Sequence, residues 1–232
     1  MNKTLIFTAT YNEKANIEAL IKRIRIYDIS SDILVIDDNS PDKTAETLKN
    51  LQKNINNLIL IVREKKNGLD TAHKFAFEYA KKNNYNKFIS LDADLSHDPK
   101  EIPKFIKLLD DHSFVIGSRY IKGGSCEMSF PRLLLSVLGN KLIKFILQID
   151  SEEFTTSFRG FNLGKLKNFD LNLVNSKGYS FFMETIFRLD KMGVKILQVP
   201  IQFKNRTQGK SKIPKLEVLR TLKNLLYLYI KN

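Results

Sequence analysis

The first half of the chain alternates short apolar runs with amphipathic stretches, and that alternation limits the fold more than any other feature. Strand-like runs are TLIFTA (4–9), DILVIDD (32–38), NLILIVR (57–63), KFISLD (87–92) and SFVIGS (113–118). Helical patterns lie between them, near 13–27, 42–54, 69–83 and 99–110. Such a succession predicts an α/β fold, a mostly parallel twisted sheet with helices on both faces. Ser40 followed by Pro41 predicts a helix N-cap with proline in the first turn. Sheets of this kind bind ligands beyond the carboxyl ends of their strands. The polar residues fall there. Tyr11, Asn12 and Glu13 follow the first run, Asp37 and Asp38 end the second, Asp92 and Asp94 the fourth, and Arg119 follows the fifth. One site accounts for all four.

The stretch FISLDADLSHDP (88–99) sharpens the expectation. If residues 88–91 form a buried strand, alternation places Asp92 and Asp94 on one face at its end. Two carboxylates so close repel unless a cation lies between them or one takes a proton. Mg²⁺ or Mn²⁺ suits oxygen ligands and keeps coordination positions for water or substrate phosphates. A DxD pair alone also occurs on surfaces and at helix caps; its position after an apolar strand is what gives it weight. His97 beside it reads as a loop residue rather than a catalyst.

The second half is less regular. PRLLLSVLGNKLIKFILQI (131–149) is apolar but interrupted by charge, YSFFMETIFRLDKMG (179–193) reads as a buried helix ending at Gly193, and VKILQVPIQF (194–203) reads as a strand. Pro200 suggests an edge position for it. A basic loop, KNRTQGKSKIP (204–214), precedes a last amphipathic helix over 215–231, with Leu219, Leu222, Leu226 and Tyr229 on one face. Core packing is the plain reading of both amphipathic segments, and contact with a membrane surface is the alternative. No apolar run is long enough for a membrane span, and the N-terminus lacks signal-peptide anatomy. A single cysteine, Cys126, excludes an internal disulfide and points to a reducing compartment.

Charge divides unevenly. Of a net +13, residues 1–116 carry +1 and residues 117–232 carry +12. The asymmetry suggests an anionic partner, such as nucleic acid, lipid headgroups or phosphorylated substrates. A nucleic-acid-binding module leaves the acidic strand ends unexplained, so no nucleic-acid partner is expected. A membrane-surface scaffold without activity leaves them equally unexplained. The GxxxxGK[ST] and GxGxxG loops are absent, as is any Ser/His/Asp set.

The succession ATYNE (9–13), VIDDNSPDKT (35–44), NGLDTA (67–72), LDADLSHDP (91–99), GSRYIKGG (117–124), TTSFRGF (155–161) and FKNRTQGKSK (203–212) resembles the dolichol-phosphate mannosyltransferase-like group of family 2 glycosyltransferases. The resemblance spans nearly the whole chain. It implies a GT-A fold and an inverting transfer of a hexose, mannose favoured, from a nucleoside-diphosphate sugar such as GDP-mannose to a polyprenyl or dolichyl phosphate. By position it assigns Ala9, Tyr11, Glu13, Ile36, Asp38 and Ala93 to the nucleotide sugar. Asp92 and Asp94 match the metal pair, with Ser96 at a third ligand position. Arg119 matches a basic residue near diphosphate and acceptor, Arg132 and Ser136 an acceptor-phosphate pair, and Arg206 and Lys212 a mobile loop closing over both substrates. Asp92, Asp94 and Arg119 would then carry catalysis.

The implied organisation is a catalytic domain over 1–203, with a nucleotide-sugar half (1–118) and an acceptor half (119–203), then a basic loop (204–213) and a C-terminal helix (214–232). The implied location is cytoplasmic, peripheral to the cytoplasmic face of a membrane, reached through amphipathic segments or a membrane-anchoring subunit. A phosphate monoester, with a second pKa of about 6, is already an anion near neutrality, so no carboxylate base is needed. Transfer to a saccharide hydroxyl in surface-polysaccharide synthesis, the alternative, would need one. Four positions depart from the family pattern. Ala9 stands for proline, Asp70 for the glycine of GLGxA, Ser157 for the glycine of TSGFR, and Ser96 where some relatives have glutamine.

Overall fold

The structure, a computed structural model, describes residues 3–205 and 217–231. Its first half follows the expected alternation: β1 (Thr4–Thr10), α1 (Lys14–Tyr27), β2 (Asp32–Asp37), α2 (Thr44–Gln52), β3 (Leu58–Val62), α3 (Leu69–Lys82), β4 (Lys87–Ser90), α4 (Ile102–Asp111) and β5 (Phe114–Ser118). Then come β6 (Ser125–Cys126), α5 (Phe130–Leu147), β7 (Arg159–Asn162), α6 (Tyr179–Lys191), β8 (Ile196–Pro200), β9 (Gln202–Phe203) and α7 (Glu217–Ile230). Seven strands form one sheet in the order β3-β2-β1-β4-β7-β5-β8, while β6 and β9 pair separately.

Strand alternation sorts the apolar residues into two cores. Leu5 and Phe7 of β1 face one layer with Ala72, Ala76 and Phe77 of α3 and Phe182 of α6. Ile6 faces the other with Ile17, Leu20 and Ile24 of α1, Leu48 of α2 and Phe105 of α4. Helices on both faces follow directly from these doubly buried strands.

Three expectations need correction. Strand β4 ends at Ser90, so Asp92 and Asp94 lie in the turn beyond it rather than on alternating strand positions. The sheet is mostly parallel, as expected, and its one antiparallel strand among the described residues is β7, which pairs with both β4 and β5. The segment RGFN carried too short an apolar run to read as a strand. A Cβ at Gly160 would lie 2.8 Å from Leu109 Cδ1, so any larger residue there would have to displace that buried side chain.

Ser40 is not a helix cap: its Oγ donates to Asp37 Oδ1 at 2.6 Å and accepts from the Asn12 N–H at 2.9 Å. The helix starts later, after Lys43 at φ +69°, with Asp42 accepting from the Thr44 N–H and hydroxyl. Finally, α7 meets the core through Leu225 and Leu228, whereas Leu219, Leu222, Leu226 and Tyr229 are exposed. β8 does close the sheet as an edge strand, as Pro200 suggested.

Candidate active site

All parallel strands point their carboxyl ends one way, and the loops there form the site. Register places Ala9 opposite Ile36 and Thr10 opposite Asp37. Thr10 Oγ1 donates to Asp37 Oδ1 at 2.7 Å, so Asp37 is a buried brace between β1 and the β2 loop. Asn12 and Asn39 take positive φ, +56° and +53°, a conformation asparagine tolerates, and turn the chain back after each strand. Glu13 is buried and accepts from Asn16 Nδ2 at 2.9 Å. The Lys66 ammonium lies over the Tyr11 ring at 4.1 Å. Asp38 is gripped by the Arg63 guanidinium and accepts from the N–H groups of Asn67 and Gly68. Ala9, Tyr11, Glu13, Ile36 and Asp38 thus gather around the ends of β1 and β2.

The second wall follows β4. Leu95 adopts φ +65°, strained for a branched side chain, and the turn lets Asp94 Oδ1 accept from the Ser96 N–H at 3.1 Å. Asp94, Ala93 and Ser96 are buried, while the Asp92 side chain is 36% exposed. The Ser96 hydroxyl is fully enclosed with no hydrogen-bond partner. A buried orphan oxygen beside a carboxylate suits a cation-binding role. Among the described residues no three His, Cys, Asp or Glu side chains converge.

His97 is buried and structural: its Nδ1 accepts from the Asp92 N–H at 3.2 Å, and its ring packs on Phe158 and Phe203. Burial lowers its pKa, so it is a neutral prop.

Arg119 follows β5 and lines one cavity with Asp92, His97, Thr155, Ser157 and Phe203. Its Nε donates to Glu153 Oε2 at 2.7 Å and its Nη2 to Glu153 Oε1 at 2.8 Å and Thr155 Oγ1 at 2.9 Å. Burial opposes both charges. The pair outweighs it, raising the Arg119 pKa and holding Glu153 below the usual carboxylate range. Ser136 shares a 2.7 Å hydrogen bond with the Tyr120 hydroxyl, one residue from Arg119, and Arg132 is exposed one turn earlier on α5. Arg206 and Lys212 lie outside the described residues.

Sequence reasoning missed Glu153 and Arg63, and named Ser157 only as a departure from the family pattern. The acidic pair leading into TTSFRGF and the arginine closing β3 were the available signals.

Comparison with known proteins fits this geometry. The chain is 30% identical to the undecaprenyl-phosphate mannosyltransferase of Micrococcus luteus, across 91% of this chain and 87% of that protein. It is 32% identical to the polyprenol monophosphomannose synthase of Mycolicibacterium smegmatis, across 91% and 81%. Among solved structures, glucosyl-3-phosphoglycerate synthase from Mycobacterium tuberculosis, in complex with Mn²⁺, uridine-diphosphate and glucosyl-3-phosphoglycerate, superposes at TM-score 0.68 with 15% identity, over 98% of this chain and 80% of that one. A mannosyltransferase from Pyrobaculum calidifontis, in complex with GDP-Man and Mn²⁺, matches at TM-score 0.58 and 18% identity, over 99% and 63%. These show the GT-A fold. Residues 5–169 match the family described as Glycosyl transferase family 2, and with that match, over most of its length, the chain belongs to glycosyl transferase family 2.

Proposed function

We propose that this enzyme transfers mannose, with inversion, from a nucleoside-diphosphate mannose to a polyprenyl phosphate. The observation that carries the reading is the 30–32% identity, over 91% of the chain, to two enzymes named for that product. The site supports it. Asp92, Asp94 and the orphan Ser96 hydroxyl would hold Mg²⁺ or Mn²⁺, and the ion when bound would stabilise the departing diphosphate. Ala9, Tyr11, Glu13, Ile36, Asp38 and Ala93 would hold the nucleotide sugar within the 1–118 half.

Arg119 would face the phosphates of both substrates, adding fixed positive charge where negative charge accumulates. Arg132 and Ser136 would receive the acceptor phosphate in the 119–203 half. Arg206 and Lys212, outside the described residues, would supply positive charge to the donor and acceptor phosphates. The acceptor supplies its own anionic nucleophile. Glu153, the carboxylate nearest Arg119, is committed to an ion pair, which disfavours a saccharide hydroxyl needing a base.

The acceptor lies in a membrane, and α5 and α7 offer a surface to meet it. No helix among the described residues is long and apolar enough to cross a bilayer. Yet Phe130, Leu134, Leu138 and Phe145 of α5 are exposed, as are Leu219, Leu222, Leu226 and Ile230 of α7, which packs beside it. Lys141, Arg220, Lys223 and Lys231 are exposed on the same helices and at their ends. Apolar and basic residues together suit the cytoplasmic face of an anionic leaflet, with 214–232 as the contacting segment.

The test incubates purified protein with GDP-mannose, other nucleotide sugars, Mn²⁺ or Mg²⁺ and a short polyprenyl phosphate, with products read by mass. A mannosyl-phosphoprenol that disappears in chelator is expected. Transfer to a saccharide but none to polyprenyl phosphate would overturn the reading.

A further inference from the structure

The antiparallel pairing of β7 with β4 reaches beyond the strands themselves. Ser90 lies opposite Arg159, the last pair of the ladder, and just beyond it the turn after β4 meets the segment leading into β7, bringing Asp92 to Ser157. There the Ser157 hydroxyl donates to Asp92 Oδ1 at 2.5 Å. Ser157 is buried, and its own position is fixed, because its carbonyl accepts from Ser90 Oγ at 2.7 Å. The neighbouring Thr156 carbonyl is held by Arg159 Nε at 2.7 Å. A rigid donor thus meets a carboxylate that is itself partly exposed.

We infer that Ser157 is a positioning residue for the metal site, one that fixes the orientation of the Asp92 carboxylate before the cation arrives. The inference rests on the assignment of Asp92 and Asp94 to a divalent ion. With Oδ1 held by Ser157, Asp92 would present its carboxylate to the cation in a fixed orientation. The carboxylate then need not be ordered during binding. Hydrogen-bond partners behind metal ligands typically change affinity by about 10- to 100-fold when removed. The family pattern has glycine at this position, which has no hydroxyl to give, so the device belongs to this chain's own sequence.

The test is Mn²⁺ binding followed by electron paramagnetic resonance in the presence of GDP, comparing the parent protein with Ser157→Ala, Ser157→Gly and Asp94→Asn. Both Ser157 variants are expected to bind one Mn²⁺ about tenfold more weakly, with Asp94→Asn losing the site. Both replacements are smaller than serine, and a cooperative melt in chelator identifies folded samples. Misfolding would reduce the number of sites, whereas loss of positioning reduces the affinity of those that remain. Parent-like affinity in both Ser157 variants, with the site lost in Asp94→Asn, overturns the positioning role alone. Parent-like binding in Asp94→Asn overturns the metal assignment beneath it.

Discussion

Arg119 and Glu153 form a two-point ion pair, Nε to Oε2 at 2.7 Å and Nη2 to Oε1 at 2.8 Å, with the glutamate fully buried. Four residues later, Ser157 holds Asp92. Between and behind them Arg159, itself buried, donates to the backbone carbonyls of Phe154, Thr156 and Phe182. The single stretch EEFTTSFRG therefore sets both walls of the site, the cationic one after β5 and the anionic one after β4. This is why a short antiparallel strand lies between them.

Removing Glu153 should strand a buried guanidinium. Breaking a buried pair from one side costs about 3–5 kcal/mol, so Glu153→Ala should lose about that much in urea unfolding, read from the midpoint at unchanged m-value. Glu153→Gln, which keeps an oxygen acceptor, should lose less. A Glu153→Ala protein as stable as the parent would mean the pair contributes nothing net.

The sheet of the first half was legible because β1, β2, β4 and β5 are almost wholly buried, and such parallel strands read as continuous apolar runs, while β3 at the sheet edge kept an apolar run though half exposed. The candidate site residues at their ends stood out for the same reason. β7 did not. Its four residues include Arg159 and Gly160, whose presence is explained by backbone carbonyls and by Leu109, partners far away in sequence. The link from Ser157 to Asp92 was hidden with it, since it exists only through that pairing. The amphipathic character of α7 was plain, but which stripe packs depends on where α5 and α6 sit. Leu225 and Leu228 took that role.

Ser96 offers a separation of stability from metal binding. Its hydroxyl is enclosed without a partner, and an unsatisfied buried group costs about 1–3 kcal/mol. Ser96→Ala should therefore melt at or above the parent temperature in chelator. It should also gain less than the parent when Mn²⁺ and GDP are added. Paired melts with and without metal check both halves. A variant that loses stability in chelator would show that the hydroxyl has a partner in the folded protein.

His73 should make the protein acid-sensitive. Burial, helped by the nearby Arg159 charge, lowers its pKa to about 3. It packs against Phe7, Phe181 and Phe182. The unfolded chain, with a histidine pKa of about 6.5, binds the proton first, so stability falls as pH drops below about 6.5 and continues falling to about 3. Between pH 7.5 and 5 this residue alone should remove about 2 kcal/mol. Urea titrations at both pH values should show the loss, and His73→Leu should flatten it. His97, lowered in the same direction, leaves a residual slope in that variant.

The exposed stripe of α7 makes the membrane assignment testable against packing. Leu219 and Leu226 are exposed, at 64% and 58%, while Leu225 and Leu228 of the same helix are buried. If the stripe enters a lipid headgroup region, each leucine gains roughly half of a full burial, about 1 kcal/mol. The double variant Leu219→Ser with Leu226→Ser should then reduce partition onto anionic vesicles about 30-fold, read by co-sedimentation, with an unchanged melting temperature. Leu225→Ala should do the opposite, lowering stability by about 3 kcal/mol while any folded protein still binds vesicles. Unaltered partition in the double variant would mean that this stripe does not contact lipid, and a lipid acceptor would have to approach the proposed pair Arg132 and Ser136 by another surface.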